Sequence, residues 1–295
     1  MKTVRKRRLQ LLPKLLLVLG AAGLAIYGCR EFYFASLYAD ADVLLIGHAG
    51  SGFFSPLNPV NFLPPNSRAS IIKAMENGAD GVEVDVQLSK DGVPILYHDV
   101  TLASMTVWPE PDTIENLPAS EVAGLAYKGG FPYDLFHNEG IMTLEELLQL
   151  FRTYPEPPYL HLDLRNHDAS RHAIYARTLL ALLRQYRYPL QKLVFISPNA
   201  DFLEAFRQVE PDAILMIDAG SDFGQAQQTV LAHSFQGICA HGGKVSHGQV
   251  QEAKQQGLEV VLFGGKSNAY IARMISMGIY AAQVNDVAAM RRMLD

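Results

Sequence analysis

Between Gly47 and Asp99 the chain concentrates residues able to do acid–base and metal chemistry. The run Gly81-Val82-Glu83-Val84-Asp85-Val86 alternates valine with carboxylate. A period of two is that of a strand, so Glu83 and Asp85 share one face. Two unpaired carboxylates on one face of a core strand are costly to bury. A cation bound by both removes that cost, and all-oxygen ligation suits a hard divalent ion such as Mg²⁺ or Ca²⁺. Two histidines bracket the pair, His48 in Gly47-His48-Ala49-Gly50 and His98 in Tyr97-His98-Asp99. The competing reading is an amphipathic surface hairpin with solvated acids.

The turn after this strand bears on where His98 goes. Asp91-Gly92, flanked by strand-like residues, predicts a two-residue hairpin loop. With that loop Lys90 faces Val93 and Asp85 faces His98. Cross-strand partners share a face, so the hairpin is expected to set His98 beside the carboxylates.

Further elements must hold these residues in place. Strands are predicted at 43–48, 81–87, 159–165, 193–197, 213–217, 237–241, 259–263 and 280–284. Helices are predicted at 67–76, 144–153, 170–187, 202–209, 223–233, 248–256, 269–277 and 287–294. Strict alternation implies a parallel sheet, and this number of units implies a closed (β/α)₈ TIM barrel. A doubly wound open sheet is the alternative, although no Gly-x-Gly-x-x-Gly turn comes after the first strand. Barrel sites sit at the C-terminal strand ends. That rule brings His48, Glu83 and Asp85 to one mouth. Asp163 and Arg165 join them from Leu160-His161-Leu162-Asp163-Leu164-Arg165. Asp163 and Arg165 could equally form an interior salt bridge. Residues 101–140 show no clear periodicity and read as a long loop excursion at the mouth, and 60–65 as a second loop adding an apolar wall. His161, His241 and His247 read as structural or loop histidines.

The chain begins differently. Of its 295 residues, 49% are hydrophobic and 19% charged, an ordinary globular balance. Residues 1–30 nevertheless hold seven of the 25 Lys and Arg and none of the 30 Asp and Glu. The basic start leads into an apolar run over 9–27, interrupted by Gln10, Pro13 and Lys14. This run approaches the ~20 residues of a spanning helix. A basic flank before an apolar segment keeps the N-terminus in the cytoplasm and exports the rest of the chain. Residues 1–39 are therefore expected to be a membrane anchor and 40–295 an extracytoplasmic barrel, at a bacterial inner membrane facing the periplasm. A cleaved signal and a lipoprotein signal ending at Cys29 are the alternatives. Outside residues 1–30, 18 bases face 30 acids, which argues against nucleic acid as a partner. Cys29 and Cys239 are the only cysteines, so there is no disulfide framework.

These motifs resemble the glycerophosphodiester phosphodiesterase family. The matching positions are His48-Ala49-Gly50, Pro65-Asn66-Ser67, Gly78-Ala79-Asp80-Gly81-Val82-Glu83-Val84-Asp85, Lys90-Asp91-Gly92, His98-Asp99 and Thr143-Leu144-Glu145-Glu146. The resemblance implies a (β/α)₈ barrel that uses a divalent metal, Mg²⁺ or Ca²⁺, to hydrolyse phosphodiesters. Glu83 and Asp85 match metal ligands, Asp163 stands where the family has a third acidic ligand, and His48 and His98 match the acid/base pair. Arg165 stands at the position of a usual Lys. Ala49 replaces an Arg that would touch the phosphate, Pro65 replaces a Glu, and Leu262-Phe263-Gly264-Gly265 stands where a Trp-Thr element is frequent. With Ala49 present, Arg165 is the matched cation left for the substrate phosphate.

The expected activity is hydrolysis of a small phosphodiester, a glycerophosphodiester or lysophospholipid, to a phosphomonoester and an alcohol. One histidine would take a proton from the nucleophile and the other protonate the leaving alkoxide. Two alternatives are a sphingomyelinase D-like transfer that forms a cyclic phosphate, and a catalytically weak barrel that binds phosphodiesters.

Overall fold

The computed structural model describes residues 2–34, 38, 41–53, 61–128 and 138–295. Among these, eight parallel strands close into a barrel. They are β1 (Leu44–Gly47), β2 (Gly81–Leu88), β5 (Tyr159–Leu164), β6 (Leu193–Ser197), β7 (Ile214–Asp218), β8 (Gly237–His241), β9 (Glu259–Gly264) and β10 (Ala281–Val284). Closure comes from β1, which pairs with β10 on one side and β2 on the other. The helices α2 (Arg68–Glu76), α5 (Leu144–Phe151), α6 (His172–Gln185), α7 (Ala200–Val209), α8 (Phe223–His233), α9 (His247–Gln255), α10 (Asn268–Ser276) and α11 (Val287–Leu294) form the outer ring. This is the expected TIM barrel.

Helix starts obey capping chemistry. Ser67, Asn199, Asp222, Ser267 and Asp286 each accept a backbone N–H of the first turn, and Thr143 with Glu146 and Ser246 with Gln249 form capping boxes. The main apolar core lies between strands and helices, with Val82, Val84 and Val86 turned outward into it. Inside the barrel Ile46, Val194, Ile196, Met216, Cys239, Val261 and Ala281 fill the floor beneath the mouth.

Two expectations are corrected here. The hairpin return strand β3 (Pro94–Leu96) pairs with β2 as Val86↔Leu96, Gln87↔Ile95 and Leu88↔Pro94. Asp85 therefore meets Tyr97, whose N–H donates to the Asp85 carbonyl (3.0 Å), rather than His98. The loop is longer than predicted. Ser89 N–H bonds to Val93 O, Gly92 N–H bonds to Ser89 O, and Gly92 sits at φ +87°. This is a three-residue loop with a left-handed glycine, and the added residue shifts the register by one. Nor is the stretch after the hairpin structureless. It holds α3 (Leu102–Met105), α4 (Ala119–Val122) and β4 (Met142–Thr143). It also has its own core of Ile95, Tyr97, Leu102, Ile114, Val122, Tyr127 and Ile141. Short elements without a long periodic face hide such a core from a sequence reading. Of the expected 60–65 wall, Val60 lies outside the described residues, whereas Pro64 and Pro65 are buried.

The N-terminal helix α1 spans Lys2–Phe34 with Pro13 inside it, and its side chains over 13–29 are all exposed. No helix among the described residues is long and apolar enough to cross a membrane.

The close approach of β2 to β5 makes a test of the barrel. A Cβ on Gly81 would lie 2.0 Å from Tyr159 O and 2.6 Å from Tyr159 C, both backbone atoms of the paired strand. Gly81→Ala is expected to cost about 1–3 kcal/mol, a fall of roughly 2–12 °C at the ~2–4 °C per kcal/mol of a chain this size. Gly224→Ala in α8, where the nearest atom is 3.5 Å away, should leave the melting temperature unchanged or slightly raised. Thermal unfolding of both variants checks the pairing.

Candidate active site

At the C-terminal mouth, the alternation of β2 and β5 does what the sequence pattern implies. Glu83 and Asp85 from β2 and Asp163 from β5 point inward, and each offers an oxygen within 4.8 Å of the others. Asp85 and Asp163 are register partners. Arg165, just past the end of β5, turns its guanidinium onto both. Nε donates to Asp85 Oδ1 (2.7 Å) and Nη2 to Asp163 Oδ2 (2.8 Å). Both arrangements foreseen for Arg165, the mouth and the salt bridge, thus coexist. No hydrogen bond from Nη1 occurs among the described residues, and about a third of the side chain is exposed.

The turn after β1 supplies the next contacts. Ala49 adopts φ +47° and Gly50 φ +85°. A Cβ on Gly50 would lie 2.6 Å from Ser70 Oγ and 2.8 Å from the Ser70 carbonyl carbon. This tight turn brings the Ala49 N–H to Glu83 Oε2 (2.8 Å). Strand β1 pairs with β2 only at Ile46↔Gly81 and Gly47↔Val82, so the two strands part at the mouth. Asn66 fills the gap. Its Oδ1 accepts the Asp85 N–H (3.0 Å), its Nδ2 donates to Asp85 Oδ2 (2.8 Å), and its own N–H donates to Ala49 O (2.9 Å).

Both histidines reach the mouth. His48 Nδ1 donates to Asn285 Oδ1 at 2.7 Å, leaving Nε2 directed at Glu83 Oε2, 3.9 Å away. His98 arrives beyond the end of β3 and not through the pairing expected. Its Nδ1 is 2.6 Å from Asp99 Oδ1. The Phe53 ring stands edge-on between them, 5.1 Å from His48 and 5.3 Å from His98. The resulting pocket is lined by His48, Glu83, His98, Asp163, Arg165, Ile196, Asp218, Cys239, Phe263 and Gln283.

Burial and like charge set the protonation of the acids. Burial first, then the charges of Asp85 and Asp163, push Glu83 well above the ordinary carboxylate range. For Asp85 the upward push of burial is outweighed by Arg165, by the nearby histidines and by the Asn66 hydrogen bond, and it is held low. Asp163 is pushed up to about 7, with burial the largest cause, Arg165 opposing it and Asp85 adding to it. His48 is lowered by burial against the pull of Asn285. His161 lies deeper, bonded through Nδ1 to Gln283 Nε2 (3.1 Å), and burial drives it down to about 3. It is a neutral interior histidine, as its position in the sequence suggested.

All six residues singled out from sequence (His48, Glu83, Asp85, His98, Asp163 and Arg165) thus gather at this mouth. Asn66 was named from sequence in the Pro65-Asn66-Ser67 match but given no role, and sequence reasoning missed Asp218, Gln283 and Asn285. Asp218 falls one residue past the predicted strand. Gln283 and Asn285, spaced i, i+2 at the end of the last strand, are a signal that was available. Three carboxylates with oxygens on one side, two of them pushed toward the neutral form by burial and like charge, fit a hard divalent cation.

The comparisons with known proteins agree. The Glycerophosphoryl diester phosphodiesterase family model matches residues 58–289. The chain belongs to that family. His48 and the turn after β1 precede the matched stretch. A glycerophosphodiester phosphodiesterase of Caldanaerobacter subterraneus is 36% identical over 91 residues, 30% of this chain and 35% of that protein. Matches to curated relatives span 5–35% of those proteins' own length. A Silicibacter pomeroyi structure described as a glycerophosphoryl diester phosphodiesterase is 23% identical, with TM-score 0.75 over 87% of this chain and 94% of that one. An Oleispira antarctica phosphodiesterase, solved in complex with the product sn-glycerol-3-phosphate, is also 23% identical, with TM-score 0.73 over 85% of this chain and 96% of that one. At these identities the structural likeness is one of fold.

The carboxylate cluster has a pH signature. From the ordinary Asp value of 3.8 up to about 7, native Asp163 holds a proton that the unfolded chain has released, so stability on its account falls as pH rises through that window. Buried neutral His48 and His161 act oppositely, because below 6.5 the unfolded chain binds the extra proton. The cation-dependent difference in melting temperature isolates the acids. Cation binding must displace the Asp163 proton. The rise in melting temperature on adding Mg²⁺ or Ca²⁺ is therefore expected to be small near pH 4–5 and to grow toward pH 7. Paired melts with cation or with chelator check this, and a pH-independent difference would contradict it.

Proposed function

We propose that this chain hydrolyses glycerophosphodiesters to a phosphomonoester and an alcohol. The observation that carries the reading is the placement of His48 and His98 on either side of Phe53 above the Glu83–Asp85–Asp163 cluster. Family membership supports the reaction class, and the glycerol-3-phosphate bound by the Oleispira relative supports the substrate class. Glu83, Asp85 and Asp163 would hold a divalent cation, Mg²⁺ or Ca²⁺, whose charge neutralises a phosphate oxygen as negative charge develops.

The chain's own residues do the proton work. Asn285 and Asp99 each engage the Nδ1 of a histidine, which leaves each Nε2 for the reacting group. Lowered by burial, His48 is the base that takes the proton from the attacking hydroxyl, and His98 returns one to the departing alkoxide. Arg165 holds Asp85 ionised and presents Nη1 to a phosphate oxygen. A second reading rests on Ala49, which leaves the turn without a phosphate-binding side chain: attack by a hydroxyl of the substrate itself, giving a cyclic phosphate, as in sphingomyelinase D-like enzymes.

The placement of the protein is also a proposal. Its support is the basic flank before the apolar run and the exposed side chains of α1 over 13–29. On this reading residues 1–39 attach the 40–295 barrel to a membrane with the mouth outside the cytoplasm.

Kinetics with glycerophosphocholine test the chemistry. His48→Ala and His98→Ala are each expected to lower kcat by on the order of 10²–10⁴, and chelator to abolish turnover reversibly. Loss of the charge-assisted contact in Arg165→Ala, about 1.5–3 kcal/mol, should lower kcat/KM roughly 10–150-fold, with Arg165→Lys intermediate. Full turnover by either histidine variant with an intact barrel would reject the acid–base assignment.

A further inference from the structure

The Phe263 ring near the end of β9 lies 5.7 Å from the His48 ring and 5.4 Å from the His241 ring at the end of β8. Phe263 thus separates the reacting centre from a second polar neighbourhood. There the Gly243 N–H donates to His241 Nδ1 (3.2 Å), and the Tyr270 hydroxyl lies 3.3 Å from the same nitrogen. With Nδ1 accepting, Nε2 carries the proton and is a donor. The backbone beneath it is glycine, buried against its neighbours. Gly264 (φ +125°) and Gly265 (φ +36°) come directly after Phe263, and a Cβ on Gly264 would lie 3.4 Å from His241 Nε2 and 3.3 Å from Tyr270 Oη.

Two lysines flank this spot. Lys244, whose N–H donates to the His241 carbonyl (2.8 Å), and Lys266, directly after Gly265, are exposed, and both charges act on His241. Neither is paired with a carboxylate among the described residues. Outside its basic N-terminal stretch the chain has 18 bases against 30 acids, so an unopposed cationic rim beside the mouth runs against the character of the protein. One N–H donor at His241 Nε2 and two compact cations on flexible stems suit a phosphate monoester. A quaternary ammonium would meet only like charge there, although an aromatic ring is at hand.

We propose that His241, Lys244 and Lys266 form a subsite for a second phosphate on the substrate, so that the chain prefers glycerophosphodiesters whose other alcohol is itself phosphorylated. The proposal rests on the phosphodiesterase reading for the position of the reacting phosphate. The substrate lies across Phe263, with its diester between His48 and His98 and its head group extending to the rim.

The test compares glycerophosphoinositol 4-phosphate with glycerophosphocholine on the full chain, by initial rates and by calorimetric binding. The phosphorylated diester is expected to have the higher kcat/KM and the tighter binding. Each exposed ion contact contributes modestly, so the double variant Lys244→Gln/Lys266→Gln should reduce both ratios about 5–20-fold. Raising salt to ~0.5 M, which shortens the screening length, should do the same. Lys73→Gln, on α2 and outside the rim, controls for loss of unit charge and should leave the ratios unchanged. Equal handling of the two diesters, or ratios indifferent to the double variant, overturns the subsite. Failure to turn over either diester overturns the phosphodiesterase reading instead, and the binding ratio then decides the subsite by itself.

Discussion

Three carboxylates within 4.8 Å of one another, buried at the rim of an apolar barrel, are the constraint the mouth is built around. Left alone they would repel and lose their hydration. Among the described residues three donors meet them. Arg165 brings a full charge to Asp85 and Asp163, the Ala49 N–H reaches Glu83, and Asn66 bridges Asp85 side chain and backbone. What these donors do not neutralise is taken up by protons on Glu83 and Asp163. A site that holds protons it could exchange for a cation is poised for one.

That requirement reaches into the backbone. The Ala49 N–H can face Glu83 only because the chain folds back sharply after Gly47, and the fold-back leaves no room for a side chain at Gly50. The same turn presents Ala49 O to Asn66 and to Ser70 Oγ. The parting of β1 from β2, which exposes the Asp85 N–H, is closed by Asn66 at φ +61°. Asparagine tolerates that conformation better than most residues. Turn, gap and cap form one device for holding two carboxylates on neighbouring ground.

The aromatic rings then divide the mouth. Phe53 separates the two histidines, and Phe263 separates His48 from His241. These apolar rings stand between polar groups and keep the imidazoles apart. Each histidine is instead oriented from behind, His48 by Asn285 and His98 by Asp99. Deeper still, His161 shows the same residue type made inert by burial.

By itself the sequence determined what is periodic and local. Valine and leucine alternating with Glu83, Asp85, Asp163 and Arg165 assign those side chains to one face whatever the rest of the chain does, because a strand repeats every two residues. The alternation of strands and helices pointed to the barrel over a doubly wound sheet, and the closure of β1 against β10 and β2 decided it. Partners distant in sequence belong to the tertiary structure. Arg165 meets Asp85 across 80 positions and His48 meets Asn285 across 237, the first contact made by the pairing of β2 with β5 and the second only once β1 has closed the sheet against β10. His98 is the instructive case. Its place in the site was legible from the motif, but the pairing inferred from Asp91-Gly92 was off by one residue, and in a strand one residue exchanges the faces. It reaches the mouth because β3 ends at Leu96 and the chain is then free to turn inward. Where a strand stops is decided by the packing of the excursion around Tyr97, Tyr127 and Ile141, and no period in the sequence records that.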